Sequence, residues 1–371
     1  MNLIILDSFN LGGLERRYLS IIRHLIDNKL DNNFYFFINK ACLKNQKDLT
    51  YFSTPKNVRI YGVGEIFYNI PILRLIEYRW QILLSFFEIL IIKKKSFNTT
   101  FFIGVNSLRF VGLIKSEYRV FELVYSGEIN NDIEFTRVFS RTRNYSFHFL
   151  CLTEPIYNSA RQFSKELINI NSTIRFSNKS FCNLSAIPNE YLVKDKVVTY
   201  LSRFDRGKGI DLLLSIMDLT LKMDDSIKFN IVGYGKGRNL INEYINANLI
   251  NYKQNIQIIE TTQPEEVLKK SLIFLSLQDH ENFPSQSALE AMAYSNYILV
   301  TDVGMSRLLV SNNNGESLPP DPIVFANRII HLTHDPIHTA HSGRNSRSLL
   351  LREFTIESYI NFLGRNFFLF T

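Results

Sequence analysis

At 371 residues, 46% of them hydrophobic and 21% charged, the chain is globular in composition, too long for one ordinary core, and fits two domains. Net charge is +7, and the whole excess lies in the first half: residues 1–190 carry 24 Lys and Arg against 16 Asp and Glu, the remainder 18 against 19. Such asymmetry suggests an anionic partner for that half, with membrane phospholipid, a lipid-linked phosphate acceptor and nucleic acid as candidates, or serves solubility alone.

Cys42, Cys151 and Cys182 are scattered, odd in number and free of any Cys-x-x-Cys pair, which implies a reduced intracellular compartment. Only four apolar residues, Leu3 to Leu6, precede Asp7, so no signal peptide is expected. The longest apolar stretch, 70–92, is broken by Arg74, Glu77, Arg79 and Glu88, so no membrane span is expected either. The sequons at Asn98, Asn171, Asn178 and Asn183 then carry no meaning.

Asn2 to Phe9 reads as a strand, Asn10-Leu11-Gly12-Gly13 as a loop, and Leu14, Tyr18, Ile21, Ile22 and Leu25 recur at helical spacing. Glycines at a helix start let backbone approach a ligand and leave free amides for a phosphate, although a plain strand-to-helix turn has the same look. No third spaced glycine completes a dinucleotide fingerprint. Residues 33–38 and 58–63 are further strands, and 67–92 is one or two amphipathic helices with Tyr78, Trp80, Phe86 and Phe87, ending in Lys93-Lys94-Lys95. That combination fits a membrane-surface helix as well as a core one. Residues 99–105, 120–125 and 147–153 complete the strands of the first domain. His148, inside a strand, reads as a satisfied interior histidine, and Thr153-Glu154 as a helix cap with an acidic first turn.

Ile187-Pro188-Asn189 and a short polar link mark a boundary near residue 190. Strand and helix then alternate: 197–204, 210–221, 228–232, 236–247, 256–260, 264–270 and 272–277, which argues a parallel sheet with crossover helices. The first of these strands ends in Ser202-Arg203-Phe204-Asp205-Arg206-Gly207-Lys208-Gly209. Two cations on a glycine-rich turn can clamp a diphosphate and stabilise its departure. Ile231-Val232-Gly233-Tyr234-Gly235 is a second glycine loop. After the strand at 272–277 comes Asp279-His280-Glu281-Asn282-Phe283-Pro284-Ser285, then a helix containing Glu290, then a strand at 297–303. Carboxylates at a strand's carboxyl end can each accept two vicinal hydroxyls of a sugar or ribose. His331, His334, His338 and His341 are split by Asp335-Pro336 and lack a cysteine, so no metal site is expected there.

These motifs resemble those of the retaining glycosyltransferases of family 4, the glycosyl transferases group 1, with a GT-B fold. The matches are Gly12-Gly13-Leu14-Glu15-Arg16, the Arg203 to Gly209 turn, Val232-Gly233-Tyr234-Gly235, the Glu281 and Glu290 pair with Leu289-Glu290-Ala291-Met292-Ala293, and Thr301-Asp302-Val303-Gly304. The resemblance implies an α/β chain of two Rossmann-like domains facing each other across a cleft: 1–190 on the acceptor side, 191–355 binding nucleotide-sugar, and 356–371 a helix crossing back. It implies Glu281, Arg203 and Lys208 as catalytic, and Glu290, Gly233, Gly235, Asn282, Phe283, Pro284 and Ser285 as donor-binding. Gly12 and Gly13 would form a phosphate or acceptor loop.

Five departures stand out. Eight residues separate Glu281 from Glu290 where the family has seven, Ser202 replaces a glycine, Tyr294-Ser295-Asn296-Tyr297 replaces Cys-Gly-x-Pro, Met305 replaces a second glycine, and Val124 to Glu128 has no histidine. No Asp-x-Asp pair occurs, so transfer of a sugar to a hydroxyl acceptor with retained configuration, without metal or cofactor, is the expectation. The acceptor would be a surface polysaccharide or lipid-linked glycan, and the location cytoplasmic, with peripheral membrane contact through the basic half. A catalytically idle glycan-binding subunit and a sugar-nucleotide epimerase stay open. Nucleic acid is not an expected partner, since no motif interleaves aromatic with basic residues.

Overall fold

The computed structural model describes residues 1–8, 13–43, 46–61, 89–90, 94–124, 131–164, 168–184, 193–205, 207–261, 263–311 and 313–367. Gly12, the helices expected over 67–88, the turn at 125–128, Pro188 and Asn189 with the boundary near 190, and Arg206 lie outside them. The chain divides into two compact units, one of Met1–Lys179 with Tyr359–Thr371 and one of Ser180–Ser358.

Unit 1 holds seven strands: β1 Asn2–Leu6, β2 Phe34–Asn39, β3 Val58–Tyr61, β4 Ser96–Ile103, β5 Lys115–Leu123, β6 His148–Cys151 and β7 Thr173–Phe176. Their order is β3-β2-β1-β4-β5-β6-β7, and every neighbouring pair is parallel. All five residues of β1 are buried, as a parallel strand covered on both faces requires. Strands β4 and β5 start several residues before their apolar runs, because Ser96, Asn98, Lys115 and Glu117 extend the ladder with polar side chains at its amino ends. The edge strand β7 has no apolar run to announce it. Its Phe176 is 42% exposed.

Between the strands lie α1 Gly13–Asp27, α2 Gln46–Phe52, α3 Asn131–Thr142 and α4 Glu154–Ser164. Aromatic rings fill this core: Phe37 stacks on Tyr61 with centroids 4.0 Å apart, and Phe139 meets Phe149 edge-on at 5.1 Å. His148 Nδ1 shares a 2.8 Å hydrogen bond with Thr173 Oγ1, which satisfies it inside the sheet as expected.

Unit 2 holds β8 Asp195–Leu201, β9 Lys228–Val232, β10 Ile256–Ile259, β11 Ser271–Ser276, β12 Tyr297–Thr301 and β13 Gly315–Leu318, ordered β10-β9-β8-β11-β12-β13 and all parallel. Its helices are α5 Ile210–Met223, α6 Arg238–Asn248, α7 Glu265–Lys270, α8 Gln286–Ala293, α9 Pro322–His334 and α10 Pro336–Glu353. Alternate residues feed opposite faces: Leu275, Tyr297 and Leu299 join one apolar cluster, and Phe274, Ile298 and Val300 the other.

Asp335 separates the two histidine-bearing helices, its side chain accepting from His338 N at 3.2 Å. His331 contacts Arg328 and His334 contacts Asp224, and among the described residues no group of three potential ligands converges on a metal position. No described helix is long and apolar enough to cross a membrane.

In each sheet the strand order reverses once, between β1 and β4 in unit 1 and between β8 and β11 in unit 2. In open α/β sheets a ligand crevice opens at the carboxyl ends of such a neighbouring pair.

Candidate functional site

In unit 2 the strands at the reversal deliver two loops side by side, residues 202–209 after β8 and 277–285 after β11. The first loop is woven into the glycine loop after β9: Ser202 N donates to Val232 O at 3.1 Å, Phe204 N to Tyr234 O at 2.7 Å, and Gly237 N to Phe204 O at 2.8 Å. Gly233 has φ of +147°, and a Cβ there would overlap the Ser202 carbonyl oxygen. Only glycine lets the two chains pass so closely. Sequence reading treated these glycines as room for a ligand. Here they are also room for the neighbouring loop.

The first loop is tied to the second as well. Asp279 N donates to Gly207 O at 3.4 Å, and Lys208 Nζ donates to Gln278 Oε1 at 3.2 Å. Tyr200 OH donates to Lys208 O at 2.6 Å, fixing the main chain under that lysine. Arg203 is exposed and pairs through Nη1 with Asp205 Oδ2 at 3.0 Å. Burial and then the Arg203 cation push the Lys208 ammonium below the ordinary lysine range, with Asp205 and Asp279 pulling the other way. An anion reaching this turn would relieve the repulsion between the two cations.

Glu281 is fixed by backbone. Its Oε1 accepts from Phe283 N and its Oε2 from Met305 N, both at 2.9 Å. The approach depends on Gly304, at φ +57°, where a Cβ would overlap the Glu281 carboxylate. Of the residues assigned to donor binding, Asn282 donates to Gln278 Oε1 at 3.3 Å, while Phe283 is only 5% exposed and packs in the apolar cluster beneath α8. Pro284 is buried, and Ser285, also buried, shares a 3.0 Å hydrogen bond with Ser287. Glu290 lies in α8, and no described residue hydrogen-bonds its carboxylate. Burial, and secondarily the Glu265 carboxylate, pushes it up to about 7.

The reversal in unit 1 is occupied by the protein itself. Asp7, beyond β1 and fully buried, pairs with Arg109 Nη2 at 2.7 Å and accepts from Asn39 Nδ2 at 2.9 Å. Nearby, α1 inserts Arg17 and Tyr18 against Glu122 near the carboxyl end of β5: Arg17 Nη2 forms a buried ion pair with it, and Tyr18 OH donates to its Oε2 at 2.9 Å. Tyr359 completes the group, its OH 3.4 Å from Arg17 Nη2. Gly13 opens α1, exposed, with nothing within 4 Å of a Cβ placed on it.

The structure thus gathers Arg203, Lys208, Gly233, Gly235, Glu281 and Asn282 around one loop cluster. Sequence reasoning gave no role to Gln278 or to the Met305 amide, which complete it, and read Thr301 only as part of a matching motif. Gln278 could have been suspected as a polar residue two positions beyond a buried strand that precedes the Glu281 loop. The Met305 contribution is a main-chain group and leaves no mark in the residue types.

Comparison with known proteins gives the following similarities. Residues 187–349 match the family described as glycosyl transferases group 1. A poly(ribitol-phosphate) alpha-N-acetylglucosaminyltransferase of Staphylococcus aureus is 26% identical over 189 residues, covering 50% of this chain and 38% of that protein. The crystal structure of TarM superposes with a TM-score of 0.57 at 21% identity over 72% of this chain and 54% of TarM. HepE of Anabaena, solved in complex with UDP, superposes with a TM-score of 0.69 at 13% identity over 98% of both chains. The chain spans about two fifths of the curated relative's length and about half of TarM's. Residues 187–349 are thus similar to the glycosyl transferases group 1, and the chain shares with HepE a fold of two Rossmann-like units.

Proposed function

We propose that the protein transfers a hexosyl group from a nucleotide-sugar, with UDP the first carrier to test, to a hydroxyl of a surface glycan or polyol-phosphate polymer. The observation that carries the reading is the pair Arg203 and Lys208 on a turn fastened to the Glu281 loop at the strand reversal of unit 2. Such a turn binds a diphosphate and stabilises it as it leaves, with the fixed cations supplying the charge neutralisation. Glu290 accepts the ribose hydroxyls, and Glu281 offers the sugar the lone pairs that its two amide bonds leave over. The anomeric configuration is retained, the departing phosphate assisting the attack on its own face of the sugar. HepE bound to UDP and the acetylglucosaminyl transfer named for the Staphylococcus aureus relative support the donor class.

The acceptor falls to unit 1. Exposed Lys56, Lys94, Lys95 and Lys115 lie at or just before the amino ends of β3, β4 and β5, and none of them sits in an ion pair with a described residue. This basic edge suits peripheral contact with an anionic membrane face on the cytoplasmic side. A second reading, an idle glycan-binding subunit, draws on the engagement of both Glu281 oxygens by main-chain amides.

Release of nucleoside diphosphate from UDP-, GDP- and ADP-sugars, followed with and without polyol-phosphate and glycan acceptors, separates the readings. Acceptor-stimulated release is the expected result. Nucleotide binding without any turnover would favour the idle subunit.

A further inference from the structure

Gln278 is an amide held from every side but one. It lies two residues beyond β11 and is only 4% exposed. Its main chain is latched on both polar groups by one buried hydroxyl: Gln278 N donates to Thr301 Oγ1 at 2.9 Å, and that hydroxyl donates to Gln278 O at 2.8 Å. The side chain therefore starts from a fixed base. One end of its amide receives Lys208 Nζ at 3.2 Å and Asn282 Nδ2 at 3.3 Å. Two N–H donors on the same atom identify it as the carbonyl oxygen, so the other end is the NH2 group.

No described residue accepts from that NH2. The nitrogen is not among the fully buried unpartnered atoms, so it is the part of this otherwise enclosed side chain that is open to solvent, where a ligand oxygen can take the place of water. The donor is carried on the side chain whose oxygen already fixes Lys208, on the loop adjoining the phosphate-type turn. An oxygen-rich anion is the acceptor that this neighbourhood attracts, with Arg203 and Lys208 on the facing turn.

We propose that Gln278, resting on the donor-site reading above, is a further ligand-binding residue: its Oε1 sets the Lys208 ammonium and Asn282, and its Nε2 donates to an oxygen of the diphosphate. A neutral amide suits both tasks. A carboxylate in its place would accept from Lys208 and Asn282 equally well, but it would neutralise the lysine and turn the remaining donor into an acceptor facing an anion.

The test is titration calorimetry of wild type, Gln278→Glu and Gln278→Leu with UDP, GDP and ADP, and with the matching nucleosides uridine, guanosine and adenosine. For the diphosphate that wild type binds, Gln278→Glu weakens affinity on the order of tenfold or more, and Gln278→Leu about fivefold. The loss for Gln278→Glu shrinks as pH is lowered through the new carboxyl's titration. The nucleoside alone binds all three proteins within about twofold. Diphosphate affinity unchanged in both variants, or an equal loss for nucleoside and diphosphate, would overturn the inference and leave the donor site standing. A wild type that binds no nucleoside diphosphate would instead remove the donor-site reading, and this inference with it.

Discussion

Glu281 and Met305 are joined by a 2.9 Å hydrogen bond from the Met305 amide to the Glu281 carboxylate, made across a glycine whose left-handed conformation clears the way. The bond links the loop after β11 to the loop after β12, so the residue assigned to sugar contact also carries the local architecture. Its replacement should therefore register in stability as well as in rate. Glu281→Gln puts an NH2 group against one of two amide donors, and about 1–2 kcal/mol of unfolding free energy should be lost, together with most transfer activity. Urea unfolding and initial rates on the same preparation check both. Full stability with reduced rate would mean that the carboxylate serves the substrate alone.

Gly233 tests how the loops are woven. A Cβ at this position meets the Ser202 carbonyl oxygen on a backbone that L-residues rarely adopt. Gly233→Ala should cost more than about 2 kcal/mol and weaken nucleotide binding by displacing the Arg203 turn. A variant with wild-type melting and wild-type affinity would show that the crossing tolerates a side chain.

The pH response of Glu290 has a definite sign. Its folded value of about 7 lies above the ordinary 4.5, so between those values the folded state holds the proton more tightly than the unfolded chain. Stability from this group is present at low pH, falls as pH rises through that window, and the cost is complete above 7. Glu290→Gln should accordingly be more stable than wild type at pH 8, by on the order of 1–3 kcal/mol, and equal to it near pH 4. Donor affinity should move oppositely, strengthening in wild type as the carboxylate ionises through pH 7, and Glu290→Gln should lose that dependence. A pH-independent stability difference would refute the assignment of the cost to ionisation.

In unit 1 the buried pair Arg17 and Glu122 should behave as a structural element. Burial works against the Arg17 charge, and Glu122, Tyr359 and Tyr18 outweigh it, holding the guanidinium charged. Glu122→Ala leaves a cation without its partner in the interior and should destabilise unit 1 by about 3–5 kcal/mol. Unfolding followed by tyrosine fluorescence measures it. A loss under about 1 kcal/mol would show that water or another group replaces the carboxylate.

Most of unit 2 was legible because its strands are continuous apolar runs and its loops carry charged and glycine motifs at their carboxyl ends. Strand β11 and the Glu281 loop were placed within a residue or so, and the break at Asp335 was read from Asp-Pro alone. Strand β13, Gly315–Leu318, was not read, since a four-residue edge strand with a glycine and a glutamate offers no periodicity. The Asp7 and Arg109 pair was equally hidden: two charges 102 positions apart meet only once the sheet has formed. Phe283 shows the converse. The motif marks it for the ligand, yet its ring belongs to the core, because a buried aromatic can anchor a loop whose main chain faces the site.

The measurement that bears most directly on the central claim is thermal stabilisation of wild type, Lys208→Ala and Glu290→Ala across UDP-, GDP- and ADP-sugars. The account predicts a rise in melting temperature for one nucleotide class in wild type, lost in both variants. No rise with any donor, or a rise that survives both substitutions, would contradict a nucleotide-sugar site on unit 2.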